Sequence, residues 1–391
     1  MFSDPHRWLR RLCLSLVLTS AAMGAYADEA PLGLADLIQL AVKNNPALAA
    51  QRYTVEAAEG RQQQAGSLPN PRLELSNTSS SFLSNGGEYS RSIGLSQDIP
   101  VGGRLSAQED VAGAGLRFAT ANLRQTEAIL AGHVATSFYR LLVLNRQIAT
   151  RGALIVVDQK LLDATTARMQ AGEVSPLDVS TAELETERLK EQQELLQNQY
   201  DAELADLNQL LGRPARAPLV LADTLPADNA LGNLEELQQQ ALKERADLQA
   251  AQFEGEQAQA EVALARSERW EDWSVGVSSG QSRLDVTGAP PQATEREIGV
   301  TLSIPLPLWN RNKGNVAAAM SGGREADANV TALKLEIQND VATAFSQLQR
   351  LSDVLARYRD RLLPLSEKSV ALAQQGYNQG QVSIVEVVTA E

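Results

Sequence analysis

Two stretches of this chain, AGEVSPLDVSTAE (Ala171–Glu183) and QGQVSIVEVVTAE (Gln379–Glu391), are nearly the same sequence. Set about 208 residues apart, they share a glycine, a valine, a serine and a closing Thr-Ala-Glu, and both carry a carboxylate, at Asp178 and Glu386. Glycine permits a sharp reversal of the backbone, and a serine three residues later is a preferred N-cap of a helix. Each stretch therefore predicts a tight turn between two helices.

The similarity extends over most of the chain. LADLIQLAVKNNPAL (Leu34–Leu48) resembles LEELQQQALKERADL (Leu234–Leu248) at an offset of 200, and SIGLSQDIP (Ser92–Pro100) resembles EIGVTLSIP (Glu297–Pro305) at an offset of 205. A unit of this length is too long for a solenoid repeat and indicates one duplication. We expect a first repeat at 28–211, a connector rich in Pro and Gly at 212–232 and a second repeat at 233–391. The second copy stops at the start of its return helix, so about 30 residues of that helix are expected to be missing.

Each copy contains two segments in which apolar residues alternate with Ser, Thr or Gln. The predicted strands are Arg72–Leu83, Tyr89–Ile99, Trp273–Leu284 and Arg296–Ile304. They would form one β-hairpin at 72–99 and another at 273–304. Spans of about 9–12 residues with one apolar side suit transmembrane β-strands, although an ordinary soluble hairpin has the same pattern.

The remaining pattern is helical. An amphipathic helix is expected at Leu34–Gly66 and another at Leu234–Arg266, and a helix from Arg104 to Gln170 would be about 100 Å long. Apolar residues then recur every seven positions, at Val134, Leu141, Ile148, Ile155 and Leu162, at Val341, Leu348, Leu355 and Leu362, and in a second seam at Ile337, Ala344, Leu351, Tyr358, Leu365 and Leu372. This spacing predicts coiled-coil packing, and two neighbouring seams allow a helix to pack on both sides.

Residues 1–27 are typical of a secretory signal peptide. A basic start is followed by an apolar run and by Ala25-Tyr26-Ala27, an A-x-A cleavage signal. A membrane anchor is the alternative, but the run is shorter than a spanning helix requires. No later segment is expected to be long and apolar enough to cross a membrane as a helix. Membrane residence would therefore depend on β-strands.

Composition excludes several classes of protein. The formal net charge is −13, and about −15 without the leader, which disfavours nucleic-acid binding. The single cysteine, Cys13, lies in the leader, and His133 is the only histidine after it. We therefore expect no cofactor, no bound metal and no enzymatic activity, since a hydrolase would need a nucleophile paired with a base. We expect His133 to have a packing or surface role.

The combined pattern resembles the outer-membrane efflux proteins of the TolC family. The resemblance rests on the signal peptide, the duplicated unit, the proline at each strand-to-helix junction and the repeated glycine turn. It implies a mainly α-helical chain with a membrane β-barrel portion, in which three protomers contribute four strands each to a twelve-stranded barrel and their helices form a periplasmic tunnel. An open sheet edge is not tolerated in lipid, which agrees with a homotrimer.

The resemblance also assigns roles to the repeated turns. They would contact a periplasmic adaptor protein through Gly172, Glu173, Val174, Ser175, Gly380, Gln381, Val382 and Ser383. Asp178 and Glu386 would line the gate of the tunnel. Helix-turn-helix signals account for the glycines and serines but are not expected to account for these two carboxylates. Gln381 and Thr389 depart from the family's gating pattern, in which an arginine and a second acidic residue are found.

The substrate is suggested by one junction. IPLPLWNRNKGN (Ile304–Asn315) is similar to the branch that serves cobalt–zinc–cadmium resistance pumps, which implies export of divalent metal cations from an inner-membrane transporter. Drug-exporting members can be acidic as well. The alternative is the periplasmic adaptor of such a pump, but adaptors use one helical hairpin, and this chain predicts two in tandem.

Overall fold

The computed structural model describes residues 31–79, 88–223, 232–284, 288–290 and 292–390. The predicted signal peptide, residues 80–83 of the first predicted strand, part of the connector and Glu391 lie outside these residues. The described chain divides into two compact units. One joins residues 31–45 to 131–223, and the other joins 46–79 and 88–130 to the residues from 232 onward.

The helices and strands follow one another in the order that the duplication predicts. In chain order they are α1 (Leu34–Asn44), α2 (Pro46–Ala65), β1 (Arg72–Ser79), β2 (Tyr89–Ile99), α3 (Arg104–Gln170), α4 (Pro176–Leu210), α5 (Leu234–Glu244), α6 (Ala246–Ser267), β3 (Trp273–Arg283), β4 (Glu295–Ser303), α7 (Lys313–Arg357), a π-helical turn (Tyr358–Leu362), α8 (Leu363–Asn378) and α9 (Ile384–Ala390). The expectation of a mainly helical chain with four strands is confirmed.

The amphipathic helix expected at the start of each copy is in fact two helices, so this prediction is wrong. Asn45 separates α1 from α2, and Arg245 separates α5 from α6, both in extended conformation with ψ of 122° and 125°. In the first copy Pro46 explains the break, because a proline pushes the preceding residue out of the helical region. In the second copy no proline is present, and Arg245 instead pairs with Asp247 and Asp340.

In the first unit, the end of α4 packs beside the end of α1. The Asn45 side chain donates a 2.9 Å hydrogen bond to the carbonyl of Leu210. Gly212 follows with φ of +66°, and its Cα lies so near the carbonyl oxygen of Asn44 that a Cβ there would be 2.5 Å away. The described part of the connector then forms an isolated parallel bridge between Leu32 and Leu221.

The second unit contains a four-stranded antiparallel sheet in the order β1-β2-β3-β4. β2 has the predicted bounds, and the others differ by one residue or, in β1, end where the described residues end. Helices join the sheet at one end, beside Arg72, Ile99, Trp273 and Ser303, and the other end carries Ser79, Tyr89, Arg283 and Glu295. We call these the helix end and the turn end of the sheet.

The long helix of the first copy runs without interruption from Arg104 to Gln170, as predicted. Its counterpart in the second copy is interrupted by the π-helical turn, which the sequence analysis did not foresee. Pro364 follows this turn and has no N–H to donate to the preceding turn. The N–H of Leu363 bonds to the carbonyl of Tyr358, five residues earlier. The heptad residues of this helix are largely exposed in the single chain, as Leu351 at 64% and Leu355 at 59% illustrate.

One expectation about membrane helices is corrected. Among the described residues, α3 contains an 18-residue window with a mean hydropathy of 1.2, so by length and composition it is apolar enough to cross a membrane. One third of that window is buried within the chain. A helix of 67 residues can contain one apolar window although the rest of its length is more polar. Buried core helices meet the same criteria, so the window identifies no span by itself.

Candidate functional site

The first repeated turn ends α3 with two backbone hydrogen bonds. The Gly172 N–H donates to the Met169 carbonyl at 2.9 Å, and the Glu173 N–H donates to the Arg168 carbonyl at 2.9 Å. Gly172 has φ of +78°, which a residue with a side chain rarely adopts. This is the Schellman arrangement, which satisfies carbonyls at the end of a helix.

Ser175 and Asp178 then start α4 as a reciprocal capping box. The Asp178 N–H donates to Ser175 Oγ at 3.3 Å, and Asp178 Oδ2 accepts from the Ser175 N–H at 2.9 Å and from its hydroxyl at 2.8 Å. Both residues thereby satisfy N–H groups that the first helical turn leaves without partners.

The second repeated turn is built in the same way. Gly380 has φ of +70°, and the Gln381 N–H donates to the Gly376 carbonyl at 2.8 Å. Glu386 Oε2 accepts from the Ser383 N–H at 2.7 Å and from its hydroxyl at 3.3 Å. Val382 packs over Gly376, where an added Cβ would lie 3.1 Å from a valine methyl group.

These contacts correct one argument from the sequence. Helix-turn-helix signals do account for Asp178 and Glu386, because each carboxylate accepts hydrogen bonds from the serine that precedes its helix, and at Asp178 a return bond to the serine completes a capping box. Glu386 is exposed and Asp178 is half-buried. The pair of carboxylates at the same place in both copies is therefore explained by helix capping alone, and a role in a gate requires support of its own.

Two residues at these turns were missed by the sequence analysis. Leu177 is 73% exposed and Val385 is 54% exposed, and they occupy equivalent positions in the two copies. Both return helices therefore expose an apolar side chain in their first turn. The repeated motif has an apolar residue at this position in both copies, but the residue is Leu in one copy and Val in the other, so it was not among the identities that the alignment showed.

The sheet has one apolar and one polar face, because alternate residues of a strand point to opposite sides. The apolar face carries Leu73, Leu75, Ile93, Leu95, Val275, Val277, Ile298, Val300 and Leu302, all more than a third exposed. Their register aligns them in rows across the strands, of which Leu73, Leu95, Val277 and Val300 form one. The polar face carries Glu74, Ser76, Gly94, Ser96, Ser274, Gly276, Ser278, Gly299 and Thr301. A membrane strand needs this division between lipid and an aqueous lumen.

Acidic side chains dominate the charge of the polar face. Glu74, Asp98, Glu295 and Glu297 lie on it by alternation, together with a single arginine, Arg72. Arg72 pairs with Asp98, and Glu74 accepts a 2.8 Å hydrogen bond from Ser96 Oγ. The polar face therefore has a net negative charge.

A partly exposed charge cluster lies at the break between α5 and α6. Arg245 contacts Asp247 at 2.5 Å and Asp340, on α7, at 3.0 Å. Burial opposes the ionisation of Asp247, but hydrogen bonds from Arg245 and from the Leu248 N–H outweigh it and hold the pKa of Asp247 below its ordinary value. The same pairing raises the pKa of Arg245.

The described residues contain no group of three or more His, Cys, Asp or Glu side chains placed to hold a metal ion. His133 lies on α3 and is exposed.

Comparison with known proteins gives consistent matches. The family model described as "Outer membrane efflux protein" matches residues 37–213 and 237–391. The cobalt-zinc-cadmium resistance protein CzcC of Cupriavidus metallidurans is 24% identical over 92% of this chain and 83% of its own length. The pyoverdine export outer membrane protein OpmQ of Pseudomonas putida is 23% identical over 92% of this chain and 79% of its own. Among solved structures, the outer membrane protein VceC of Vibrio cholerae matches with a TM-score of 0.72 at 19% identity, over 91% of this chain and 88% of VceC.

Proposed function

The chain belongs to the outer membrane efflux protein family and is the outer-membrane channel of an efflux pump, and from this premise we propose that the pump exports divalent metal cations. The protein lies in the outer membrane, with its helical part in the periplasm. The adaptor alternative is excluded, because the matching family is that of the outer-membrane component. The family is a transport family, and we infer that the chain catalyses no reaction.

The acidic polar face of the sheet carries the proposal of a cation substrate. Four carboxylates and one arginine on that face favour cations over anions inside a narrow, low-dielectric passage. Similarity to a cobalt-zinc-cadmium resistance protein and the PLPLWNRNKGN junction point in the same direction. Similarity to a pyoverdine exporter makes organic substrates the competing class.

We infer that the channel is a homotrimer. β1 and β4 have unpaired edges in the described sheet, and four strands are too few to close a barrel in lipid. Leu348, Leu351 and Leu355 on α7 are more than half exposed in the single chain. A second copy that covers these heptad residues would bury them as a coiled coil does. Three copies would give the twelve-stranded barrel.

We also propose partners at the repeated turns. An adaptor would contact the residues from Gly172 to Ser175 and from Gly380 to Ser383, and the exposed Leu177 and Val385 would extend that contact. An inner-membrane transporter would complete the pump. The repeat boundaries stay predictions, supported by the two separate matches to the family model.

A gate at Asp178 and Glu386 is a further part of the proposal. Three copies of each would bring six carboxylates to the periplasmic entrance, where their repulsion and their attraction for cations would both be strong. Each carboxylate is hydrogen-bonded to the serine that precedes its helix, which supports a defined position for the charge.

Growth of a deletion strain tests the substrate. Strains without the gene should lose growth in zinc, cobalt or cadmium and keep it in detergents and dyes. Complementation with a variant carrying Glu74→Gln and Glu297→Gln should restore metal resistance only in part. Sensitivity to dyes alone would reject the metal substrate while leaving the channel function intact.

A further inference from the structure

The apolar face of the sheet changes character toward the turn end. The row beyond the last apolar residues contains Asn77, Arg91, Gln281 and Arg296, which pair in that order across the four strands. The next row contains Ser79, Tyr89 and Arg283. By alternation these residues lie on the same face as the exposed leucines and valines. Three arginines therefore stand at the turn end of the face that carries the exposed leucines and valines.

Charge is divided between the two faces of the sheet. The four strands contain eight charged residues, and the three on the apolar face, Arg91, Arg283 and Arg296, are all basic. The acidic residues lie on the polar face. No carboxylate within the strands is therefore placed to neutralise these arginines on their own face.

The three arginines lie close together on this surface. Arg91 and Arg296 are two strands apart in one row, so their backbones are about 10 Å apart, and Arg283 is one row further on. The Arg91 guanidinium lies 5.1 Å from the centre of the Tyr89 ring and donates a 3.1 Å hydrogen bond to Asn77. Within the described chain, the buried Nε of Arg283 has no hydrogen-bond partner.

Their depth corresponds to a membrane interface. β3 has 11 residues, and at about 3.3 Å per residue and a tilt of about 40° it spans about 25 Å, the height of the apolar band of an outer-membrane barrel. Trp273 marks the helix end of that band, and Arg283 marks the turn end. Since the helices extend into the periplasm, the turn end faces the outer leaflet.

We propose that Arg91, Arg283 and Arg296 bind the phosphate groups of lipids in the outer leaflet of the outer membrane. Guanidinium groups match phosphate geometry through paired hydrogen bonds. The patch is continuous with the lipid-facing apolar surface, so a bound lipid would place its acyl chains on the leucines and valines and its phosphates on the arginines. Tyr89, whose hydroxyl lies 3.2 Å from that of Thr294, would border the headgroup.

The test compares two triple variants of the purified full-length protein in detergent. One carries Arg91→Gln, Arg283→Gln and Arg296→Gln. The control carries Arg324→Gln, Arg350→Gln and Arg357→Gln, which removes the same charge from exposed positions on α7, outside the sheet. The probes are bisphosphorylated lipid A, the same lipid without phosphates, and inorganic phosphate, and dissociation constants are measured for each.

An arginine near a membrane surface contributes about a fivefold gain in affinity for acidic lipid, so the sheet variant should bind lipid A about a hundredfold more weakly. The control should stay within twofold of the original protein, the dephosphorylated lipid should bind weakly to both, and millimolar inorganic phosphate should not compete. If the triple variant does not assemble, the single variants Arg91→Gln and Arg296→Gln should each bind lipid A about fivefold more weakly than the original protein.

Equal affinity of the sheet variant and the original protein would overturn the proposal, as would equal losses in the control. Equal binding of the dephosphorylated lipid would show that the arginines recognise no phosphate. Competition by inorganic phosphate would assign the patch to small anions and reject the lipid. None of these outcomes depends on the exported substrate, so failure here leaves the proposed metal export untouched.

Discussion

Substitution of Gly212 by alanine should loosen the contact between the ends of α1 and α4. The φ of +66° already costs a residue with a side chain about 1–2 kcal/mol. The new Cβ would also lie 2.5 Å from the carbonyl oxygen of Asn44 and 3.0 Å from its carbon, and both are backbone atoms that cannot rotate away. Overpacking of this kind adds about 1–3 kcal/mol, so the total is about 3 kcal/mol.

Hydrogen exchange followed by mass spectrometry measures this effect locally. A cost of about 3 kcal/mol corresponds to exchange faster by more than a hundredfold in the peptides that contain Asn45 and Gly212. Gly172→Ala is the matched control, because Gly172 has φ of +78° but open space around its Cβ. Gly172→Ala should have only the cost of the positive φ, so exchange should become about five- to thirtyfold faster, and only in its own turn. Gly132→Ala, inside α3, should slow exchange slightly, because alanine is the better helix former.

Equal acceleration of exchange in Gly212→Ala and Gly172→Ala would contradict this prediction, since the overlap with Asn44 would then carry no cost. Faster exchange across the second unit would contradict it as well, because the overlap is confined to the first unit.

Two further predictions concern charged groups. Replacing Asp178 by Asn and Glu386 by Gln removes the charge but keeps an oxygen that accepts the capping hydrogen bonds, so the channel in planar bilayers should show a lower preference for cations without loss of helix at the turns. The control is Glu59→Gln with Glu127→Gln. Unchanged ion selectivity in the first variant together with altered selectivity in the control would show that the two carboxylates serve only in capping. The pKa of Asp247 is lower in the folded protein than its ordinary value of 3.8, so the pairing with Arg245 stabilises the fold above pH 3.8, and this contribution is lost as pH falls through the lowered pKa. Between pH 7 and pH 3 the thermal unfolding midpoint should therefore fall less steeply for Asp247→Asn than for the original protein. Parallel plots of midpoint against pH would contradict this role of Asp247.

The sequence predicted those features of the structure that depend on neighbouring residues. Alternation within eleven residues placed β2 correctly, and the absence of proline between Arg104 and Gln170 placed α3. The break at Asn45 had a local sign in Pro46. The equivalent break at Arg245 had none, because it depends on Asp340, 95 residues further along the chain.

The sequence predicted where the repeated turns lie but not that their carboxylates cap the helices. The glycine, the serine and the carboxylate three residues after the serine were all visible, and a serine followed at that spacing by Asp or Glu is itself a capping-box signal. The division of the sheet into a basic-rimmed apolar face and an acidic polar face needed the register between strands. Sequence alone fixes which residues alternate but not which arginines of different strands become neighbours.

The π-helical turn at Tyr358–Leu362 keeps the second copy in phase with the first. Heptad positions in the two copies differ by 207 residues up to Leu362, but the turns at Gly172 and Gly380 differ by 208, so one extra residue has entered the second helix between these points. In a regular α-helix an added residue rotates everything beyond it by about 100°. A π-helical turn, closed by a bond to the fifth preceding residue, contains one residue more than an α-helical turn and so cancels this rotation. It lies next to Pro364, which has no N–H to donate. The azimuth of the second tip is thereby preserved, and Val370 takes the heptad place that Leu162 has in the first copy.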